Sequence, residues 1–225
     1  MAVDGPAASG KSSLCAEVCQ RIGWTYINTG ALYRAIGYLA SEKDIDVLDK
    51  RAMVALVEEF SKNFSWMSET QSLIYKDKDI TNELYSEIAG QNASKIAKCA
   101  VLREILLKVQ RDLAMRAEGG VIVDGRDIGS VVFPNADLKI YLTASLDVRA
   151  KRRFEQLKAK HDLADCPNYD SIVSEIAARD ERDLNRETAP LVKASDAILV
   201  DTSGLSFQES IDALISLIKE HIPIG

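Results

Sequence analysis

The chain has 225 residues, 47% of them apolar and 28% charged, with a net charge of −6. That length buries a substantial core without disulfides, and the balance excludes disordered and low-complexity classes. The negative charge argues against general binding to nucleic acid or an anionic membrane surface, so any bound anion must meet arginines gathered locally.

The chain opens on "AVD", a first strand so short that a few further residues are expected upstream, and then on "GPAASGKSS". Leu14, Val18, Cys19 and Ile22 share one helical face, which places a helix from near Lys11 to just before Gly23. The strand "WTYIN" follows, then helices over "GALYRAIGYLASEK" and "DKRAMVALVEEFSKN". "FSWM" and "SLIYKDKDI" are short β-prone runs between polar turns, an antiparallel element inserted at about residues 60 to 88. Helices at about 86 to 97 and 101 to 118 lead to "GGVIVDG", a continuous apolar run that reads as a buried parallel strand.

"DLKIYLTA" and "DAILVD" are two more such runs. Helices are expected over "SLDVRAKRRFEQLKAK", "YDSIVSEIAARDERDLN" and "SFQESIDALISLIKEHI". Alternation of this kind predicts an α/β fold of three layers with a parallel sheet covered on both faces. The core spans 1–59 and 89–225, and a short lid lies at about 150 to 166. No apolar run approaches the roughly 18 residues of a membrane span, and no leader-like segment opens the chain, so a soluble cytoplasmic protein is expected. Cys15, Cys19, Cys99 and Cys166 include no C-x-x-C pair and no neighbouring His, which reads as reduced thiols rather than a zinc site.

Gly5 to Ser12 satisfies G-x-x-x-x-G-K-[ST] between a strand and a helix, the setting of a phosphate-binding loop. Its glycines let backbone N–H groups turn around an anion, and the helix start adds orphan donors and a positive dipole end. Lys11 is then expected on the β- and γ-phosphates and the Ser12 hydroxyl on Mg²⁺. A second signal is "ARDERDLNRETAPL", where Arg179, Arg182, Asp183 and Arg186 fall at helical steps of three and four. They form either a solvated face of ion pairs or an arginine fork for a phosphoryl group. A third is "VDGRDIGSVVFP", in which Asp124 ends a buried strand and Gly125 is expected to turn Arg126 and Asp127 into the crevice at the strand ends.

Those blocks, with "INTGALYRA" and "NASKIAKCAVLREILLKVQR", resemble the bacterial type of cytidylate kinase in the nucleoside monophosphate kinase group. The similarity runs from the first residues to about Leu191. It implies transfer of the γ-phosphoryl group of ATP, with Mg²⁺, to CMP or dCMP; a monomer is expected only as the default. Gly5, Pro6, Ala7, Ala8, Ser9, Gly10, Lys11, Ser12 and Ser13 match the ATP loop, with Ser12 the metal ligand. Arg34 and Arg126 match arginines that hold the acceptor phosphate, and Arg186 one close to it. Ser94, Arg103 and Asp127 match the base pocket. Thr29, Arg179 and Asp183 match the ribose side.

Lys11, Arg126, Arg179 and Arg186 are the expected catalytic residues. The chain departs from the family pattern at Asn28-Thr29, where Asp-Ser is common, and at "GKSS". Arg149, Arg152 and Arg153 form either a lid over ATP or a solvated basic face. His161 and His221 lie outside every block, so no histidine base is expected. The competing readings are a kinase for another small acceptor and a nucleotide-gated switch, the latter without the N-K-x-D stretch that guanine-specific switches carry.

Overall fold

The computed structural model describes residues 1–159 and 167–222. Along the chain it forms β1 (Ala2–Asp4), α1 (Lys11–Ile22), β2 (Thr25–Asn28), α2 (Thr29–Glu42), α3 (Lys50–Asn63), β3 (Phe64–Met67), β4 (Ser72–Tyr75) and β5 (Lys78–Asp79). Then come α4 (Glu87–Ile96), α5 (Ala100–Met115), β6 (Val121–Gly125), β7 (Lys139–Thr143), α6 (Leu146–Lys158), α7 (Tyr169–Asn185), β8 (Ile198–Asp201) and α8 (Phe207–His221). A short 3-10 turn at Asn82–Tyr85 and a single π-helical turn at Ile128–Val132 complete the described elements. The chain divides into two compact units, Met1–Val18 with Arg126–Gly225, and Cys19–Gly125.

The first unit sets β1, β7 and β8 side by side in parallel, with Asp4 opposite Tyr141 and Thr143 opposite Asp201. Parallel strands cannot be joined by a hairpin, and the helices that make the crossings cover the sheet, so β1 is buried at every position. Helix starts follow their capping chemistry: Ser145 accepts the Val148 N–H, and Ser206 forms a reciprocal capping box with Glu209. The second unit holds β2 parallel to β6, with Asn28 opposite Asp124. Its core gathers Leu32, Ile36, Met53, Phe60, Leu73 and Leu102, all 2% exposed or less.

The parallel strands among helices bear out the expected α/β class. The antiparallel sheet β3-β4-β5 lies within the segment read as an insertion. "SLIYKDKDI" folds as two strands because Lys76 and Asp77 both take positive φ, at 47° and 64°, the backbone of a two-residue hairpin turn. Gly125 differs from expectation: it extends β6 rather than making the turn, and the chain turns at Arg126 and Asp127 into the π-helical turn. The segment read as a lid is helical to Lys158, and residues 160–166, with Cys166 and His161, lie outside the described residues.

Candidate active site

The loop between β1 and α1 is shaped by backbone geometry. Gly5 has φ +152°, and a Cβ there would stand 2.0 Å from the Leu142 carbonyl oxygen, so no other residue fits. Gly10 at φ +89° and Ala8 at φ 56° supply the remaining left-handed positions. Lys11, 5% exposed, turns its ammonium back onto the loop, donating to the carbonyl oxygens of Gly5 and Pro6 at 2.8 Å and to Ser9 Oγ at 3.1 Å. Ser12 and Ser13 are exposed at the first turn of α1.

Two side chains grip the loop at Ala7. Its N–H donates to Asp180 Oδ1 at 2.9 Å, its carbonyl accepts from Arg149 Nη1 at 2.9 Å, and Arg149 and Asp180 pair with each other. The Ala7 methyl packs with Ala150, Ile172 and Ile176 of α6 and α7. Arg149 is thus buried against the loop rather than set on a solvated face. It lies in the first turn of α6, and its guanidinium also reaches back to the Ala144 carbonyl at 2.9 Å. Arg152 donates to the carbonyl of Thr202 at 2.8 Å and to its hydroxyl at 3.1 Å.

A second cluster in the same unit centres on Asp183, 9% exposed. Arg126 Nε donates to Asp183 Oδ2 at 2.8 Å. Burial alone would push the Asp183 carboxyl up, but Arg126, Arg179 and Arg186 outweigh it and hold it below the usual carboxylate range. Arg186, at the C-terminal cap of α7, donates through Nε to the Ala189 carbonyl at 2.6 Å and through Nη2 to Asp127 Oδ1 at 3.1 Å. Arg182 is exposed. An α-helix advances about 100° per residue, so a step of four from Arg179 reaches Asp183 on nearly the same bearing, whereas a step of three falls short on the other side.

The remaining expected residues belong to the second unit. Thr29, 4% exposed, donates its hydroxyl to the Asp124 carbonyl at 2.7 Å, and Asn28 caps α2 by accepting the Ala31 N–H. The Asn in place of a common Asp is therefore engaged as a cap. Arg34 Nη1 donates to the Leu84 carbonyl at 3.0 Å and lies where a Cβ on Gly90 would be 3.1 Å away. Ser94, one turn beyond, donates to the Gly90 carbonyl at 3.2 Å, and Arg103 sits over the Tyr33 ring at 6.0 Å. These contacts bring Arg34, Ser94 and Arg103 into one neighbourhood.

Sequence reasoning passed over Asp4 and Asp180. Asp180 stands inside "ARDERDLN", one step off the helical spacing that joins Arg179 to Asp183. For Asp4 the only signal was a carboxylate at a strand end, directly before the loop glycine. Among the described residues no group of His, Cys, Asp and Glu is arranged to hold a metal on its own. Mg²⁺ keeps several waters and takes one or two protein oxygens beside phosphates, so the exposed Ser12 hydroxyl at the loop's exit suits it.

A phosphate loop with its lysine in place, in one unit with a carboxylate ringed by arginines, defines a P-loop phosphotransferase. Comparison with known proteins narrows the class. Residues 1–220 match the family model described as cytidylate kinase. Curated cytidylate kinases include one from Bacillus licheniformis, 40% identical over 222 residues that cover 98% of this chain and 96% of that protein. Another, from Streptococcus pneumoniae, is 40% identical over 215 residues, covering 95% and 94%. The chain belongs to the cytidylate kinase family. Among solved structures, TT1252 from Thermus thermophilus superposes with a TM-score of 0.52 at 13% identity, covering 99% of this chain and 96% of that one, which is a likeness of fold. Among the described residues no helix is long and apolar enough to cross a membrane.

Proposed function

We infer that the protein transfers the γ-phosphoryl group of ATP to CMP or dCMP, giving ADP and CDP or dCDP. The convergence of Arg126, Arg179 and Arg186 on Asp183 carries this reading to the level of residues. A site that receives a phosphoryl group between two phosphates must cancel charge from several directions, and guanidinium forks do so bidentately.

In this assignment Lys11 leaves its loop carbonyls to follow the migrating phosphoryl group. Arg34, Arg126 and Arg186 hold the acceptor phosphate. Thr29, Arg179 and Asp183 take the ribose, and Ser94, Arg103 and Asp127 take the cytosine ring. The acceptor oxygen is already anionic, so alignment and exclusion of water replace a general base. The Ser12 hydroxyl would hold a Mg²⁺ ion brought in with ATP, and that ion would neutralise phosphate charge. The same reading takes the protein as a monomer of the cytoplasm.

Turnover with ATP and a panel of CMP, dCMP, UMP and AMP tests the assignment. CMP or dCMP should exceed UMP and AMP at least about tenfold in kcat/KM. Preference for another acceptor overturns it, and ATP binding without any acceptor turnover favours a nucleotide-gated switch.

A further inference from the structure

Asp4 has no part in the roles above, yet its placement is tightly specified. It ends β1, directly before the first loop glycine, and is 4% exposed. Each oxygen accepts one backbone N–H at 2.7 Å, Oδ1 from Ile128 and Oδ2 from Gly129. These amides open the π-helical turn, whose far side closes on the same stretch: Val131 and Val132 donate to the Asp127 carbonyl, and Phe133 to that of Ile128. The carboxylate therefore grips the chain immediately behind Arg126 and Asp127. The approach is close, since a Cβ on Gly129 would stand 3.3 Å from Asp4 Oδ2 and 3.2 Å from the Lys139 side chain.

We propose that Asp4 is a positioning residue for the acceptor nucleotide, its two oxygens fixing the Ile128 and Gly129 amides so that Arg126 and Asp127 stay aligned with Asp183 and Arg186. The inference rests on the reading of Arg126 and Asp127 as acceptor ligands. It adds that the strand leading into the ATP loop also sets their place. Only an ionised carboxylate serves both amides: a carboxamide offers one oxygen and turns N–H groups toward the other donor, and a protonated acid loses acceptor capacity in the same way.

The charge is held against its surroundings. Burial pushes the Asp4 carboxyl up to about 6, opposed by the Gly129 and Ile128 amides, raised further by the Asp127 carboxylate and lowered by Lys11. Tyr141, its β7 partner in register, also feels this charge, together with those of Asp180, Arg126 and Arg149. The Lys139 ammonium is paired with Asp196. The clamp accordingly weakens within the range of ordinary assays, as pH falls through about 6.

The test is steady-state kinetics of the full chain from pH 5 to 8, for the parent and Asp4→Asn, with CMP and ATP varied in turn. Hydrogen exchange of the Ile128 and Gly129 amides is followed alongside. Asp4→Asn should raise KM for CMP about tenfold or more, change KM for ATP less than about threefold, and speed exchange at Ile128 and Gly129 while β7 amides stay protected. In the parent, KM for CMP should rise below pH 6, and the variant should lack that limb. Equal rises in both KM values, or unchanged exchange at the two amides, overturn the inference.

Should Asp4→Asn fail to fold, Asp4→Glu keeps the charge on a longer stem. It should retain a pH limb with a raised KM for CMP, and parent-like kinetics overturn the inference. A parent that prefers a different acceptor overturns the cytidylate assignment alone. Amide exchange still reads the clamp in that case, and the KM split is sought with the preferred acceptor.

Discussion

Arg186 and Asp127 form a buried ion pair, Nη2 to Oδ1 at 3.1 Å, across 59 residues of chain. The residue assigned to the acceptor phosphate and the one assigned to the base thus neutralise each other. Uracil presents an oxygen where cytosine presents its amino group, which would set two acceptors face to face at Asp127. An unpaired buried acceptor costs about 1–3 kcal/mol, so the contact alone should favour CMP over UMP about tenfold or more. Asp127→Asn and Asp127→Ala should both lower kcat/KM for CMP and shrink the CMP/UMP ratio. A parallel loss on both substrates would show that Asp127 only anchors Arg186.

Arg186→Lys should be nearly as damaging as Arg186→Ala. The guanidinium uses separate nitrogens for the Ala189 carbonyl and Asp127, and a single ammonium cannot reproduce that fork. Normal turnover by the lysine variant removes Arg186 from the catalytic set.

Lys11→Ala should abolish turnover, falling about a thousandfold or more in kcat, because it removes charge that follows the phosphoryl group. It should also destabilise the fold by about 1–2 kcal/mol, since the Gly5 and Pro6 carbonyls lose a buried donor. Urea unfolding reads the second effect. An unchanged midpoint would mean that the inward turn of the lysine contributes nothing to the resting loop.

The grip on Ala7 predicts a specific split. Arg149→Ala and Asp180→Ala should each raise KM for ATP about fivefold or more and leave KM for CMP within about twofold, because the peptide they hold belongs to the loop assigned to ATP. Their double mutant should fall short of additivity by about 1–3 kcal/mol in unfolding free energy, as expected for groups in direct contact. Additive effects would dissolve the pair as a unit.

Asp4 predicts a stability trend with pH. Burial raises its native pKa to about 6, above the ordinary carboxylate value, so the native state binds this proton more tightly than the unfolded chain. The associated stabilisation is complete below the unfolded value and disappears as pH rises through about 6. Comparing urea unfolding at pH 5 and pH 7.5, the parent should lose on the order of 1 kcal/mol relative to Asp4→Asn. A gap that stays constant or moves the other way places the Asp4 pKa near its ordinary value.

Much of this was legible in the chain itself, because it rests on local rules. Apolar spacing located α1 from Lys11 to Ile22, continuous apolar runs located β6 and β7, and glycine spacing located the loop. Partner choice among charged side chains follows no local rule. Arg149 and Arg152 look on the sequence like a basic helix face, but packing turned one onto the Ala7 carbonyl and the other onto Thr202. Asp4 and Gly129 lie 125 residues apart, and only the parallel arrangement of β1 and β7 and the turn after β6 make them neighbours. Periodicity tells which side of an element faces inward. Which buried charge meets which donor is decided by the tertiary structure, because desolvation makes an unpaired ion too costly to leave and geometry offers each one few partners.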